Sequence, residues 1–128
     1  MSGLLNDWLK WMNDWSPVAV EKAIQKTVDE IVDGIRKASD AYENYMKASH
    51  NYDLAFAKAV MGFDGPAYAK KYAAEIATAQ ERTDRDAADV AYRFFDRSNR
   101  ALEKKLDALR SIGASTRQAY ANAGRGEW

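Results

Sequence analysis

The chain has 128 residues, a usual size for one domain, and it carries 19 basic and 19 acidic side chains. This balance excludes the strongly basic composition that is typical of nucleic-acid-binding proteins, and the lack of cysteine excludes disulfides and thiolate metal sites. No run of about 20 apolar residues predicts a membrane-spanning helix, and no basic segment followed by an apolar run predicts a signal peptide. We therefore expect a cytoplasmic or particle-associated protein.

The first predicted element is a short amphipathic helix, rich in tryptophan, within residues 1–15. Its apolar side chains share one helical face, and polar side chains occupy the other. Tryptophan is frequent at protein interfaces and at the lipid headgroup boundary, so this face is a candidate for binding a partner or a membrane. Internal packing near residues 106–112 is a third interpretation. The partner-binding candidates are Leu4, Leu5, Trp8, Leu9, Trp11, Met12 and Trp15.

Two long helices follow, and proline and glycine mark their ends. Ser16 can cap a first turn that holds Pro17, whose missing N–H would have no partner there. The glycine-containing segment before Pro66 is the densest turn signal in the chain. A short turn makes the helices antiparallel, so we predict an all-α, coiled-coil-like hairpin. It spans residues 16–112, with helices at 17–61 and 66–112, a turn at 62–65, and a flexible polar tail at 113–128.

Apolar residues recur along both helices in the 3-4 spacing of a left-handed coiled coil. In the second helix the phase drifts near residues 83–87, which predicts a local stutter. The predicted inward positions of the first helix are Val20, Ile24, Val28, Ile31, Ile35, Ala38, Tyr42, Tyr45, Ser49, Tyr52, Phe56 and Ala59. Those of the second are Tyr72, Ile76, Ala79, Thr83, Ala87, Val90, Phe94, Ala101, Leu102, Leu106 and Leu109.

The charges predict how the two helices pair. With Asp64 as the centre of the turn, acidic residues at 29–33 face arginines at 93–100, and Lys47 lies near Glu81. Opposite charges at flanking positions are typical of paired coiled-coil helices. The charge pattern therefore favours an antiparallel register centred on Asp64.

Few residues are suited to catalysis or to binding a cofactor. His50 is the only histidine, and although Asp53 could orient it, a partly exposed helical residue is the ordinary interpretation. The chain has no set of three or four zinc ligands and no glycine-rich phosphate loop. We therefore predict that the protein is not an enzyme and has no metal, cofactor or small-molecule substrate.

A basic stripe on the second helix is a candidate for nucleic-acid contact, because its spacing can follow a phosphate backbone. Carboxylates at Asp96, Glu103 and Asp107 are interleaved with it, so pairing within the protein is the favoured interpretation. Nucleic acid is accordingly a disfavoured partner. The four basic residues are Arg93, Arg97, Arg100 and Lys104.

The turn resembles that of a known family. Phe63-Asp64-Gly65, followed by Pro66-Ala67-Tyr68, is similar to the hairpin turn of small type VII secretion substrates, the Trp-x-Gly family, with phenylalanine in place of tryptophan. Tyr92 and Asp96 match the family's Tyr-x-x-x-Asp/Glu export pattern, although in the family this pattern follows the second helix. The resemblance implies an exported helical hairpin.

The whole pattern predicts a non-enzymatic structural or adaptor protein that acts through helix–helix contacts in an oligomer or a larger assembly, such as a phage or other particle. The expected partner is protein, either a second copy or another component. A secreted hairpin of the type VII kind and a membrane-interacting protein that uses the tryptophan-rich helix are the alternatives.

Overall fold

The computed structural model describes residues 15–126, in which it contains helices and no strand. The predicted all-α class is therefore confirmed, whereas the predicted helix within residues 1–14 lies outside the described residues. No helix of this range is both long and apolar enough to cross a lipid bilayer. Helix α1 spans Pro17–Gly62, a 3-10 turn spans Ala67–Ala69, α2 spans Lys70–Ala77 and α3 spans Ala79–Gly126.

Helix α1 begins at the predicted cap. The backbone N–H of Ala19 donates to Ser16 Oγ at 3.1 Å, and Pro17 is the first helical residue. The N–H of Val20 donates to the Ser16 carbonyl at 2.9 Å, which opens the helical ladder. The helix then continues through Gly34, so that glycine does not interrupt it.

The turn after α1 depends on a contact between Phe63 and Gly65. The N–H of Phe63 donates to the Val60 carbonyl at 3.4 Å. A Cβ added to Gly65 would lie 2.7 Å from Phe63 Cζ, so any other residue would displace the ring. Since no glycine of the described range has a positive φ, the contact with the Phe63 ring, and not the backbone conformation, is what a side chain at position 65 would disturb.

The predicted second helix is divided at Thr78, whose φ of −112° and ψ of 21° depart from helical values. Its hydroxyl donates to the Ala74 carbonyl at 2.7 Å, and its own N–H donates to the same oxygen at 3.1 Å. Threonine side chains that bond back in this way bend helices. The predicted stutter at 83–87 is wrong, because the inward positions, which are buried or half-buried, keep regular steps of three and four from Thr78 through Arg85 to Tyr92.

Helix α3 extends well past its predicted end at residue 112 and continues to Gly126. Gly113 is buried, and a Cβ placed on it would lie 3.2 Å from Val20 Cγ1 of α1. The Thr116 hydroxyl donates to the Ile112 carbonyl at 2.8 Å. The segment predicted as a flexible tail thus begins with residues that pack on α1, and this contact favours a continued helix.

The described residues form two compact units. The turn unit is Gly34–Ser98, which contains the turn and α2. The terminal unit combines α1 up to Asp33 with α3 from Asn99 onward. In each unit a part of α1 packs against a part of α3.

In the turn unit, α1 and α3 run antiparallel. The ring centroids of Tyr42 and Tyr92 lie 5.2 Å apart. Further along α1, the ring of Tyr52 lies 4.4 Å from Cζ of Arg85, which comes earlier in α3. As the residue number rises in one helix, the number of its neighbour falls in the other.

The register of this pairing differs from the predicted one. Tyr42 and Tyr92 are equally far along the chain from Ala67, so the pairing is centred beyond Asp64. The 3-10 turn after Pro66 still belongs to the connection, and this moves the centre of the pairing from Asp64 to about Ala67. The predicted contact of Lys47 with Glu81 is therefore wrong, and Lys47 Nζ lies 3.2 Å from Glu43 Oε1 of its own helix.

Small residues form much of the inward face of α1. One predicted series, from Ile31 to Ala59 in steps of seven, is half-buried as expected. In the series that starts at Val28, three positions (Val28, Ser49 and Phe56) are half-buried as predicted, but Ile35 and Tyr42 are wrong as inward positions, since they are 57% and 48% exposed. The positions one residue earlier are buried or half-buried, because their short side chains let the two helices approach closely. These positions are Val20, Thr27, Gly34, Ala41, Ala48 and Ala55.

The inward face of α2 and α3 also differs from the predicted one. The predicted Leu102, Leu106 and Leu109 are confirmed, and Leu109 is only 4% exposed. The earlier predicted positions, from Tyr72 to Ala101, are wrong because each of them is exposed. The observed inward positions alternate in steps of four and three. They are Ala74, Thr78, Glu81, Arg85, Ala88, Tyr92, Phe95, Asn99, Leu102, Leu106, Leu109, Gly113 and Thr116.

Two buried threonines satisfy their hydroxyls within their own helices. Thr27 is fully buried and donates to the Ala23 carbonyl at 2.8 Å, and Thr78 bonds to Ala74 in the same way. A hydroxyl with such a local partner can enter an interface without an unpaired donor. A search for apolar spacing therefore misses these inward positions, because polar residue types occupy them.

We expect Leu109→Ala to lower the free energy of unfolding by about 2–5 kcal/mol, because Leu109 is almost fully buried. The matched control, Leu54→Ala, removes the same atoms from a side chain that is 57% exposed, and it should cost about 0.5 kcal/mol or less. Urea denaturation followed by circular dichroism measures both. Equal losses in the two variants would contradict the assignment of the inward face.

Candidate interaction surface

An apolar stripe runs along the outer face of α2 and the first part of α3, and we name it the outer stripe. Its larger side chains are well exposed: 79% for Ile76, 68% for Val90 and 63% for Phe94. Its members recur at the three- and four-residue spacing of a single helical face. The outer stripe consists of Tyr72, Ile76, Ala79, Thr83, Ala87, Val90 and Phe94.

The outer stripe exists because the same helices carry two apolar patterns. The inward positions, such as Ala88 and Phe95, lie one residue after Ala87 and Phe94 of the outer stripe. One step along a helix turns a side chain by about 100°, so the two patterns occupy different faces. Packing against α1 covers the inward pattern only and leaves the outer stripe in solvent.

Two opposite charges flank the outer stripe at positions seven residues apart, Asp86 and Arg93. Arg93 Nε donates to Asp89 Oδ1 at 3.0 Å, and this hydrogen bond raises the pKa of the Arg93 guanidinium. Asp86 Oδ1 accepts from Arg85 Nη2 at 3.2 Å. The side chains of Asp86 and Arg93 are 63% and 66% exposed, so both remain open to a further partner.

A shallow cleft of about 450 Å³ adjoins the outer stripe in the turn unit. Ala87 belongs both to the stripe and to the wall of this cleft. The cleft exists because alanines face each other where larger side chains would fill the space. Its lining residues are Lys37, Asp40, Ala41 and Asn44 from α1, with Ala87, Ala88, Ala91 and Phe95 from α3.

The partner-binding residues predicted in the tryptophan-rich segment fall mostly outside the described residues. Leu4, Leu5, Trp8, Leu9, Trp11 and Met12 lie within residues 1–14. Trp15 is described, and it is half-buried immediately before the cap of α1. Their role in binding stays a prediction.

The four candidate nucleic-acid contacts, Arg93, Arg97, Arg100 and Lys104, are all exposed on α3. Arg93 is paired within its own helix, with its Nε 3.0 Å from Asp89 Oδ1. A guanidinium that is already paired with a carboxylate is a weaker ligand for phosphate. Nucleic-acid binding by this stripe stays a prediction.

The residues considered for catalysis or metal binding lie on the exposed surface of α1. His50 and Asp53 are both exposed on α1. Within residues 15–126 no group of three or more histidine, aspartate or glutamate side chains could hold a metal ion. The described part of the chain therefore offers no metal centre.

The residues that carry the type VII resemblance have structural roles here. Phe63 covers Gly65 in the turn, and the half-buried ring of Tyr92 packs on Tyr42. Both Tyr92 and Asp96 lie inside α3, which continues for many residues beyond them. Comparison of the whole chain with models of protein families, with curated proteins and with solved structures found no match.

The spacing of the outer-stripe residues predicts that they face α1, whereas the structure places them on the exposed face. A second pattern, made of alanine and threonine in steps of three and four, marks the inward face. It includes Ala74, Thr78 and Ala88. Large apolar residues dominate any hydrophobicity count, so this pattern is easily missed. Two apolar faces on one helix predict two neighbours.

The observed register predicts a coupling between Tyr52 and Arg85. In a double-mutant cycle with Tyr52→Ala and Arg85→Ala, we expect a coupling energy of about 0.5–1 kcal/mol from the stacked guanidinium. The same cycle for Lys47 and Glu81, which pair only in the register centred on Asp64, should give a coupling near zero. Urea denaturation supplies both values, and a larger coupling for Lys47 and Glu81 would contradict the observed register.

Proposed function

We propose that the protein is a non-enzymatic structural or adaptor component that works through helix–helix contacts in an oligomer or a larger assembly. The supporting observation is the exposed outer stripe on helices whose inward face is already packed. Exposed apolar faces of this kind on soluble proteins mark interaction sites.

The spacing of the stripe favours a helix as the element that covers it. On α3 alone, from Ala79 to Phe94, the stripe runs for about 22 Å at 1.5 Å per residue, or roughly four helical turns. A helix that lies along it would meet side chains at each turn, as in groove-binding and coiled-coil recognition. A small ligand would cover only a fraction of this length.

The energetic gain from covering the stripe is substantial. Complete burial of an exposed isoleucine, valine or phenylalanine side chain is worth about 1.5–3 kcal/mol. Ile76, Val90 and Phe94 each expose more than half of their surface. Even partial burial of these three would contribute several kcal/mol toward association, from which the entropic cost of association is subtracted.

The tryptophan-rich segment is a second candidate contact in the same proposal. Its apolar face, with Trp8, Trp11 and Trp15, has the composition of residues that dominate binding energy at interfaces. A role as a component of a phage or another particle would combine two such contacts in one small chain.

We expect the full-length chain to be a discrete oligomer, because the outer stripe gains free energy by burial against a helix. Light scattering on a sizing column gives its absolute mass over a range of concentrations. A chain of residues 16–128, which keeps the Ser16 cap, serves as the control for the tryptophan-rich segment. A full-length chain that stays monomeric at high concentration would contradict the proposed function.

A further inference from the structure

We propose that a second copy of this chain covers the part of the outer stripe from Thr83 to Phe94, with the two α3 helices antiparallel about a two-fold axis near Ala88 and Asp89. This inference rests on the proposed function and deepens it by naming the partner. The outer stripe is complementary to itself in shape and in charge. Both properties belong to residues of the turn unit that are exposed in the structure.

The sizes of the stripe residues are complementary under this symmetry. A two-fold axis makes neighbours of residues that lie equally far from it on opposite sides. Val90 then meets Ala87 of the second copy, and Phe94 meets Thr83. Each larger side chain faces a smaller one, and the symmetry repeats both contacts. This large-to-small pairing fills space at the spacing that two packed helices require.

The charges at the flank are complementary under the same axis. Asp86 and Arg93 lie beside the stripe on the same side, since seven residues are almost two full turns. In an antiparallel pair, flanking positions of this kind come side by side across the interface. Asp86 and Arg93 are not strictly equidistant from the axis, but the offset is only about 3 Å along the helix, which the long Arg93 side chain spans. Asp86 of each copy therefore lies beside Arg93 of the other, which gives two ion pairs. A parallel arrangement would instead place like residues together.

The existing partners of these side chains permit the new pairs. Arg93 uses Nε for its bond to Asp89, so its Nη groups can reach a second carboxylate. Asp86 accepts from Arg85 through Oδ1 only, which leaves Oδ2 for the new contact. No rearrangement of α3 is needed to form the pair.

Self-complementarity is what favours a second copy over a foreign helix. A foreign partner can carry any arrangement of sizes and charges, so binding to it would not require the stripe to be complementary to itself. A two-fold interface requires that one surface match itself. The order of sizes meets this requirement, because the small Thr83 and Ala87 lie on one side of the axis and the larger Val90 and Phe94 on the other. The separation of Asp86 from Arg93 meets it as well.

The experiment uses charge reversal in the full-length chain. Asp86→Arg alone creates two arginine–arginine contacts across the axis, and Arg93→Asp alone creates two aspartate–aspartate contacts. We expect each to weaken self-association by about ten- to a hundredfold, because like charges replace two ion pairs. Sedimentation equilibrium measures the dissociation constants, and circular dichroism checks that each variant remains helical.

The mixture of the two variants gives the sharpest result. An Asp86→Arg chain and an Arg93→Asp chain present opposite charges to each other at both contacts, so the mixture should associate where neither variant does alone. The matched control is Lys47→Glu, which breaks a comparable exposed i,i+4 pair with Glu43 on α1 and should leave association unchanged.

The outcomes separate this inference from the proposed function. Association restored in the mixture supports the antiparallel pairing of two copies. A wild-type oligomer that both single reversals leave intact would overturn the pairing while the proposed function stands. A mixture that fails to associate, when both variants fold, would overturn it as well. A monomeric wild-type chain would overturn both.

Discussion

The close approach of α1 to α3 is the constraint on which the other features of this structure depend. Small residues at the inward positions of α1, such as Ala41, Ala48 and Ala55, leave room for the facing helix. Where the space is tightest, Gly113 of α3 lies against Val20 of α1. Because small residues occupy these inward positions of α1, larger neighbours such as Ile35 lie outside the interface. The exposed apolar surface thus follows from how the helices pack.

Much of the fold could be predicted from the sequence, because local signals determine it. The Ser16 cap, the turn around Phe63 and Gly65 and the all-α class need only neighbouring residues, and the structure confirms each of them. The choice of inward face is a tertiary question. Tyr42 and Val90 have the hydrophobicity and the spacing of inward residues, yet close helix packing selects smaller neighbours such as Ala41. The predicted register is wrong for a similar reason, because no residue pattern reveals that the 3-10 turn lengthens the connection between the helices.

The sequence predicts which residues form the candidate surface, but it predicts an inward position for them, and that position is wrong. Tyr72, Ile76, Val90 and Phe94 were recognised as a helical stripe, which the structure places on the outside. No residue type distinguishes an apolar position that meets the chain's own helix from one that meets another chain. The two differ only in which face is already occupied, and this is known once the inward face is known. The tryptophan-rich segment remains a prediction from composition.

The central claim is that α2 and α3 present two apolar faces with different partners, one within the chain and one outside it. Because the chain has no cysteine, single Ala→Cys variants report directly on each face. Ala74 is fully buried and Ala87 is exposed, so thiol-labelling rates at these positions compare the two faces. We predict slow labelling at position 74 at every protein concentration, and labelling at position 87 that is fast in dilute solution and slows as concentration rises. Fast labelling at position 87 at all concentrations would contradict the account.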